Sequence, residues 1–304
     1  MDMGINRRHT QTDGGRQQKR QILLGAHFSI AGGLHKAILT ASEYGCTALQ
    51  IFTKNATTWK ERTLSHQEVE RFNEVRELTA IQSICSHASY LINLASPEPI
   101  KYDRSLKALE NELLRSSLLS IPYVIMHPGS HMGAGEDKGL QRIAQGINTI
   151  FDRSPNITCR LLLEATAGQG SSLGHTFEQL ARISDSVERR ERIGFCFDTC
   201  HVFAAGYDIR GKKAYQGTMQ SLDRIIGIDR LCVIHLNDAK KGLAARVDRH
   251  EHIGEGKIGI DAFGFIMNDS RLKTVPKILE TPKKKGSIDY DRINLNRLRA
   301  LVSG

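Results

Sequence analysis

Short apolar runs recur along the chain, each too short for a helix and each bounded by Gly, Pro, Ser or Asp, which is how strands buried on both faces of a parallel sheet look. Eight such runs predict strands over residues 22–28, 48–53, 82–86, 123–127, 160–164, 194–198, 231–235 and 276–280. Between them lie stretches with helical periodicity, such as Leu106, Leu109 and Leu113 in the third gap and Phe177, Leu180, Ile183 and Val187 in the fifth, flanked by charges. Strand and helix alternate throughout, with no break in composition that would divide the chain. The alternation predicts an α/β fold, a single-domain (β/α)8 TIM barrel over residues 21–304, preceded by a polar, basic, flexible tail over residues 1–20.

The polar residues fall at one end of these strands. ICSH ends at His87, YVIMH at His127, LLLE at Glu164, GFCFD at Asp198, LCVIH at His235 and KILE at Glu280. Six side chains at the carboxyl ends of six strands would all point into one barrel mouth, the face where barrel enzymes keep their active sites. Three imidazoles and three carboxylates packed together repel or remain poorly solvated unless divalent cations neutralise them. His with Asp and Glu is the ligand set of catalytic zinc or manganese, whereas an all-carboxylate set would suggest magnesium. Two loop clusters extend the set: FDTCH places His201 three residues beyond Asp198, and RVDRH places Asp248 and His250 two apart, on one side of an extended segment. Cys200, between Asp198 and His201, is read as packing inward.

Composition narrows the partners. A formal charge of +9 favours a polyanion such as nucleic acid over a neutral metabolite. The six cysteines, with no CxxC pair, read as reduced core residues of a cytoplasmic protein. No apolar run approaches the roughly 20 residues that span a bilayer, and no secretory h-region is present at the start. From the residues alone, a metal-dependent sugar isomerase and a non-catalytic DNA-binding protein with structural zinc remain open beside a nuclease.

Several long segments, in order, carry a more specific signal: HASYLINLASP around His87, HPGSH from His127, EATAGQGSSLG from Glu164, FDTCHVFAAGYD from Asp198, HLNDAK from His235, RVDRHEHIGEGKIG from Arg246 and LETP around Glu280. Together, over roughly residues 21 to 283, they resemble the endonuclease IV family. The resemblance implies a DNA-repair enzyme that hydrolyses the phosphodiester 5′ to an abasic site in duplex DNA, leaving a 3′-hydroxyl and a 5′-deoxyribose phosphate; a monomer is expected because a duplex needs free access to the barrel mouth. The resemblance also implies three zinc ions, and the ligand chemistry leaves manganese as an alternative at one position. His87 and His127 would hold one ion, with Glu164 bridging to a second whose shell Asp198, His235 and Glu280 complete, while His201, Asp248 and His250 would hold the third. Glu164 and Glu280 are then the expected catalytic carboxylates. Tyr90 and Leu91 match the family's wedge into the base stack, and Lys54, Asn55 and Arg246 are further expected DNA contacts. The glycine-rich runs GQGSSLG and GEGKIG are expected to let DNA approach closely, and KKKGSIDYDR to face phosphate or solvent. Two departures stand out: Ala56, Thr57 and Thr58 occupy a loop where some members carry an inserting arginine, and Ala165 follows Glu164 where Asn is common.

Overall fold

A computed structural model describes residues 22–285 and 287–303; the tail expected over residues 1–20 lies outside the described residues. The predicted strands appear as β1 (Leu24–His27), β2 (Ala48–Ile51), β3 (Ser83–His87), β4 (Tyr123–Met126), β5 (Arg160–Glu164), β6 (Ile193–Asp198), β7 (Leu231–His235) and β8 (Lys277–Leu279). All neighbouring pairs are parallel, and β8 closes onto β1 through Leu24 opposite Lys277 and Gly25 opposite Ile278. The (β/α)8 barrel is therefore the observed fold. Strand ends differ from expectation by a residue or more where the ladder runs out; β4 stops at Met126 because Pro128 has no N–H to continue the pairing.

Around the barrel lie α1 (Leu34–Glu43), α2 (His66–Glu77), α3 (Pro99–Leu118), α4 (Glu136–Arg153), α5 (Phe177–Asp185), α6 (Thr199–Ala205), α7 (Lys212–Ile226), α8 (Ile260–Asn268) and α9 (Tyr290–Ala300). Local chemistry sets their starts: Ser65 and Glu68 form a reciprocal capping box on α2, Pro99 opens α3, and Thr176 caps α5 through the Gln179 amide. The α5 helix ends before Val187, which is nevertheless buried. Among the described residues, no helix is long and apolar enough to cross a membrane.

Strand periodicity divides the core. Ala48, Cys85, Ile125, Leu162, Cys196, Val233 and Ile278 form one apolar cluster within the barrel, while the residues alternating with them, such as Leu49, Ile84, Val124, Leu163 and Ile234, join a larger cluster that includes the helices. A side chain two positions further along each strand faces the same way as the inner cluster. That step leads to Gln50, His87, His127, Glu164, Asp198, His235 and Glu280, and from Gly25 to His27. Gly25 itself tolerates no side chain, since a Cβ there would collide with the Ala48 carbonyl.

The stretch KKKGSIDYDR is not simply a solvated arm. Lys284–Lys285 pairs with Ile288–Asp289 in a short antiparallel ladder that leads into α9. Lys283 is tied to Asp291 at 2.8 Å and lies over the Phe28 ring, so its charge is engaged within the protein.

One barrel residue carries a charge into the core. Lys277 is almost fully buried at the start of β8, its Nζ donating to the Leu272 and Val275 carbonyls, and burial pulls its pKa down to about 8. A base with a lowered folded-state pKa penalises the fold below that pKa, and the penalty is relieved as pH rises towards the unfolded-state value. Chemical denaturation should therefore show wild type gaining on Lys277→Met by about 2–3 kcal/mol between pH 7 and roughly pH 10.5. A difference that stays flat over this window would show that the ammonium is not penalised.

Candidate metal centre

The inward step at the strand ends brings the six expected residues together, and the loops after β6 and β7 add the other three. Glu164, fully buried, is the centre. One of its oxygens lies 2.9 Å from His87 Nε2 and 3.2 Å from His127 Nε2; the other lies 3.1 Å from His235 Nδ1 and 3.2 Å from His201 Nδ1. Three groups built from imidazoles and carboxylates alone have their candidate ligand atoms within 4.8 Å of one another: His87, His127 and Glu164; Glu164, Asp198, His235 and Glu280; and His201, Asp248 and His250; two overlapping groups bring in Cys196, beside Glu164 and His235, and Cys200, beside Asp198 and His250. Glu164 is shared by the first two.

Local structure explains the placement. Asp198 ends β6 and caps α6 by accepting from the His201 amide at 2.8 Å, so one turn sets both residues. The segment carrying Asp248 and His250 leaves β7, pairs back through Asp238–Ala239 against His250–Glu251, and docks on α6 through the Ala244 and Arg246 amides. Arg246 adopts a left-handed conformation, φ 52°, in this loop.

The imidazoles are held in defined orientations. His87 Nδ1 donates to the Ala88 carbonyl, His201 Nδ1 to that of Ala165 and His250 Nδ1 to that of Glu280, leaving Nε2 of each ring towards the carboxylates. In His235 the roles are reversed: Nε2 donates to Gln50 Oε1 and Nδ1 faces Glu164 and Glu280. The Asn237 amide donates to Asp198 Oδ2 at 2.6 Å, while its oxygen accepts from the Glu280 amide.

The electrostatics call for positive charge. Burial alone would raise the Glu164 pKa, but His127, His235 and the other rings outweigh it and hold the carboxyl well below the usual range; His235 and His27 do the same for Glu280. Burial opposes charging of His201 and His235, yet Asp198, Asp248 and Glu164 push His201 well above its ordinary value, and Glu280 with Glu164 raises His235 to about 9. Such carboxylates are satisfied either by protons on the rings or by cations that displace them. His201 Nε2 and His250 Nε2 are the more specific sign: both are buried, make no hydrogen bond, and sit 3.3 and 3.4 Å from the two Asp248 oxygens. A cation between them would satisfy both nitrogens and the carboxylate together, so the residues fit a metal ion.

Nearby cysteines are a different matter. All six are free and buried. Burial and Asp198 push the Cys200 thiol up to about 12 while it donates to the Arg249 carbonyl, so it stays protonated.

Beside the third group opens a cleft of about 410 Å³, lined in part by Tyr90, Asn93, His127, Gln169, His201 and Asp248. A larger groove of about 830 Å³ runs along α7 and α8 on the outer layer, away from all nine side chains. Tyr90 is 62% exposed on the rim, Leu91 is half-buried, and Asn55 and Arg246 are exposed. Lys54 departs from expectation. It is buried, its Nζ donating to the Thr58 carbonyl at 2.6 Å and lying near Glu61, because it closes its own loop from inside and is not available to DNA. The loop is also braced by Arg115, bonded to Thr53, Glu61 and Glu112, and by Ser89 Oγ, which donates to the Ala56 carbonyl. Ala56 faces inward while Thr57 and Thr58 are exposed.

The run GEGKIG also has an internal purpose. The Asp238 carboxylate accepts from the Gly254, Gly256 and Ile258 amides, and a Cβ at Gly256 would collide with Asp238 Oδ1. These glycines are required for the backbone to wrap a buried carboxylate.

His27, Gln50 and Asn237 were missed among the site residues. His27 ends the observed β1, one residue before the end of its apolar run, and so faces inward like the other candidates. Gln50 and Asn237 are amides whose role emerges only when strands distant in sequence are neighbours.

Comparison with known proteins adds relatives. The family described as xylose isomerase-like TIM barrel matches residues 38–301. A protein of Geobacter sulfurreducens called probable endonuclease 4 is 49% identical over 279 residues, covering 92% of this chain and 94% of its own length. The crystal structure of endonuclease IV from Thermus thermophilus superposes with a TM-score of 0.82 at 37% identity, covering 91% of this chain and 98% of that one. A D-tagatose 3-epimerase-like protein gives 0.68 at 18% identity, with 91% and 96% coverage, a likeness of fold alone.

If the three groups take cations, zinc returned to chelator-stripped protein should raise the unfolding free energy by about 2.7 kcal/mol for each ion held, at a free concentration roughly a hundred times that site's dissociation constant. Glu164→Gln should lose most of that gain. Thermal unfolding that ignores zinc in the wild type would count against the centre.

Proposed function

The chain belongs to the endonuclease IV family, and we propose from that premise that it is a DNA-repair hydrolase, cutting duplex DNA on the 5′ side of abasic sites to leave a 3′-hydroxyl and a 5′-deoxyribose phosphate. The observation that carries this reading is the gathering of five imidazoles and four carboxylates into three groups around Glu164, beside an open cleft. His87, His127 and Glu164 would hold one zinc ion; Glu164, Asp198, His235 and Glu280 a second; His201, Asp248 and His250 a third, with manganese an alternative at one position. When bound, such ions supply Lewis-acid chemistry, neutralising phosphate charge, acidifying water and stabilising the leaving oxygen.

The protein's own contribution is positioning. Glu164 stays ionised within a shell of imidazoles, and Asn237 keeps Asp198 and Glu280 in fixed relation. His127, His201 and Asp248 border the cleft, so a nucleotide turned out of the duplex would bring its phosphate beside them. Turning out is cheapest where a base is already missing, which gives selectivity for damage without reading sequence. Tyr90, exposed on the rim, is the side chain suited to stack against the opened duplex, with Leu91, Asn55 and Arg246 as further contacts. The formal charge of +9 supports a polyanionic substrate over a neutral sugar. A single chain suffices, as all nine side chains come from it.

A duplex oligonucleotide with one tetrahydrofuran abasic analogue, which blocks β-elimination, tests the reaction. Incision leaving a 3′-hydroxyl, lost on chelation and recovered with zinc, is the expected result; fully metallated protein that leaves the duplex intact would refute the proposal. Glu164→Gln should lose incision together with the ions of the two groups that share Glu164. Tyr90→Ala should raise KM for the damaged duplex roughly fivefold or more, from a stacking contribution of about 1–3 kcal/mol, with kcat little changed.

A further inference from the structure

Gln50 lies on β2, fully buried and within reach of two strands that supply candidate ligands. Its Nε2 donates to Glu280 Oε1, an ionised carboxylate that can only accept, so the amide orientation follows: Oε1 must be the atom facing His235. That oxygen, 2.7 Å from His235 Nε2, requires the ring to carry a proton there. His235 Nδ1 is thereby left towards Glu164 Oε1 at 3.1 Å and Glu280 Oε2 at 3.2 Å. The remaining capacity of the amide is used as well, with His27 Nδ1 3.0 Å from Nε2 and the Cys85 thiol donating to Oε1 at 3.5 Å. One neutral side chain thus reaches two members of a single ligand group, at the ends of β7 and β8.

We propose that Gln50 is a positioning residue for the second ion, selecting the His235 tautomer that presents Nδ1 and holding Glu280 alongside it. The inference rests on the metal-dependent reading above and adds a residue to which neither the strand-end pattern nor the comparisons assign a role. Neutrality is essential to the role: a carboxylate in place of the amide would accept from His235 but could only repel Glu280. A side chain of the same length without hydrogen-bonding groups would leave the ring free to turn or to exchange tautomers.

The experiment compares zinc-loaded wild type, Gln50→Met and Gln50→Glu, equilibrated in buffers of fixed free zinc and counted for bound metal by mass spectrometry. Loss of an outer-shell partner commonly weakens metal affinity about 10–100-fold. Both variants should therefore hold one zinc fewer than wild type across a window of that width, with the remaining ions retained and Gln50→Glu the weaker of the two. In 15N–1H spectra of the loaded protein, the His235 Nε2 proton should be protected in wild type and exchange rapidly in Gln50→Met. A merely structural role would change unfolding of the stripped protein without removing one particular ion. Equal zinc retention by folded wild type and either variant at every zinc concentration overturns the Gln50 assignment and leaves the nuclease reading standing. Wild type that holds zinc as expected but fails to incise abasic duplex refutes the nuclease reading and leaves Gln50 in place.

Discussion

The carboxyl end of the barrel is organised by the need to keep a fully buried carboxylate charged. Taking an ionised Glu164 out of water is unfavourable by several kcal/mol, more than one good contact returns. Four imidazoles, from the end of β3, the residue after β4, the turn after β6 and the end of β7, surround it and hold it ionised. Each ring is itself buried or half-buried; His87 and His235 place their other nitrogen against the Ala88 and Gln50 oxygens, while His201 uses the same Nδ1 for Glu164 and the Ala165 carbonyl and leaves Nε2 towards Asp248. Compensation therefore spreads outward from one residue to backbone positions that only the closed barrel brings into reach. A cluster built this way is poor as a stabiliser of the fold but well suited to cations, since its charges are already oriented and desolvated.

The barrel mouth is coupled to its loops by the same polar chemistry. Arg115, buried on α3, joins Thr53, Glu61 and Glu112, so the loop after β2 is anchored to the helical layer rather than resting on its own side chains. Ser89 links that loop to the turn carrying Tyr90, accepting from the Leu91 amide while donating to the Ala56 carbonyl. Exposed Tyr90, Thr57 and Thr58 thus stand on a braced base. Side chains meant to touch a large ligand can be few if the backbone presenting them does not have to be ordered on binding.

Much of this was legible in the sequence because strand geometry is periodic. Once the apolar runs are aligned as strands, the residue closing each run shares a face with those of its neighbours, and His87, His127, Glu164, Asp198, His235 and Glu280 follow. His27 closes the observed β1, but the apolar run there continues to Phe28 and so hides the strand end. Gln50 was hidden for a physical reason: an amide within ALQIF carries no charge to mark it, and its partners lie 185 and 230 residues away. Lys54 erred in the opposite direction, since a lysine in a polar loop reads as solvent-facing until Glu61 and the Thr58 carbonyl are found to enclose it. The glycines after His252, expected to let DNA approach closely, also wrap Asp238, a buried carboxylate that the sequence does not place beside them.

The resemblance of fold to an epimerase-like barrel shows why architecture alone does not select a reaction. A barrel offers one inward position at the end of every strand, and the chemistry depends on what is added to that ring. Here the addition is the segment after β7. Its docking on α6 uses main-chain bonds to Phe203 and Ala204, and its return ladder uses Asp238, which the glycine-rich run encloses. Since α6 begins directly after Asp198 and carries His201, the segment that brings Asp248 and His250 is fixed against the element that brings their partner. The third group is consequently set by backbone geometry rather than by mutual attraction of its charges, and its two unbonded ring nitrogens can face Asp248 without collapsing onto other donors. That arrangement extends the ring of strand-end residues by a third group built on the loop after β7.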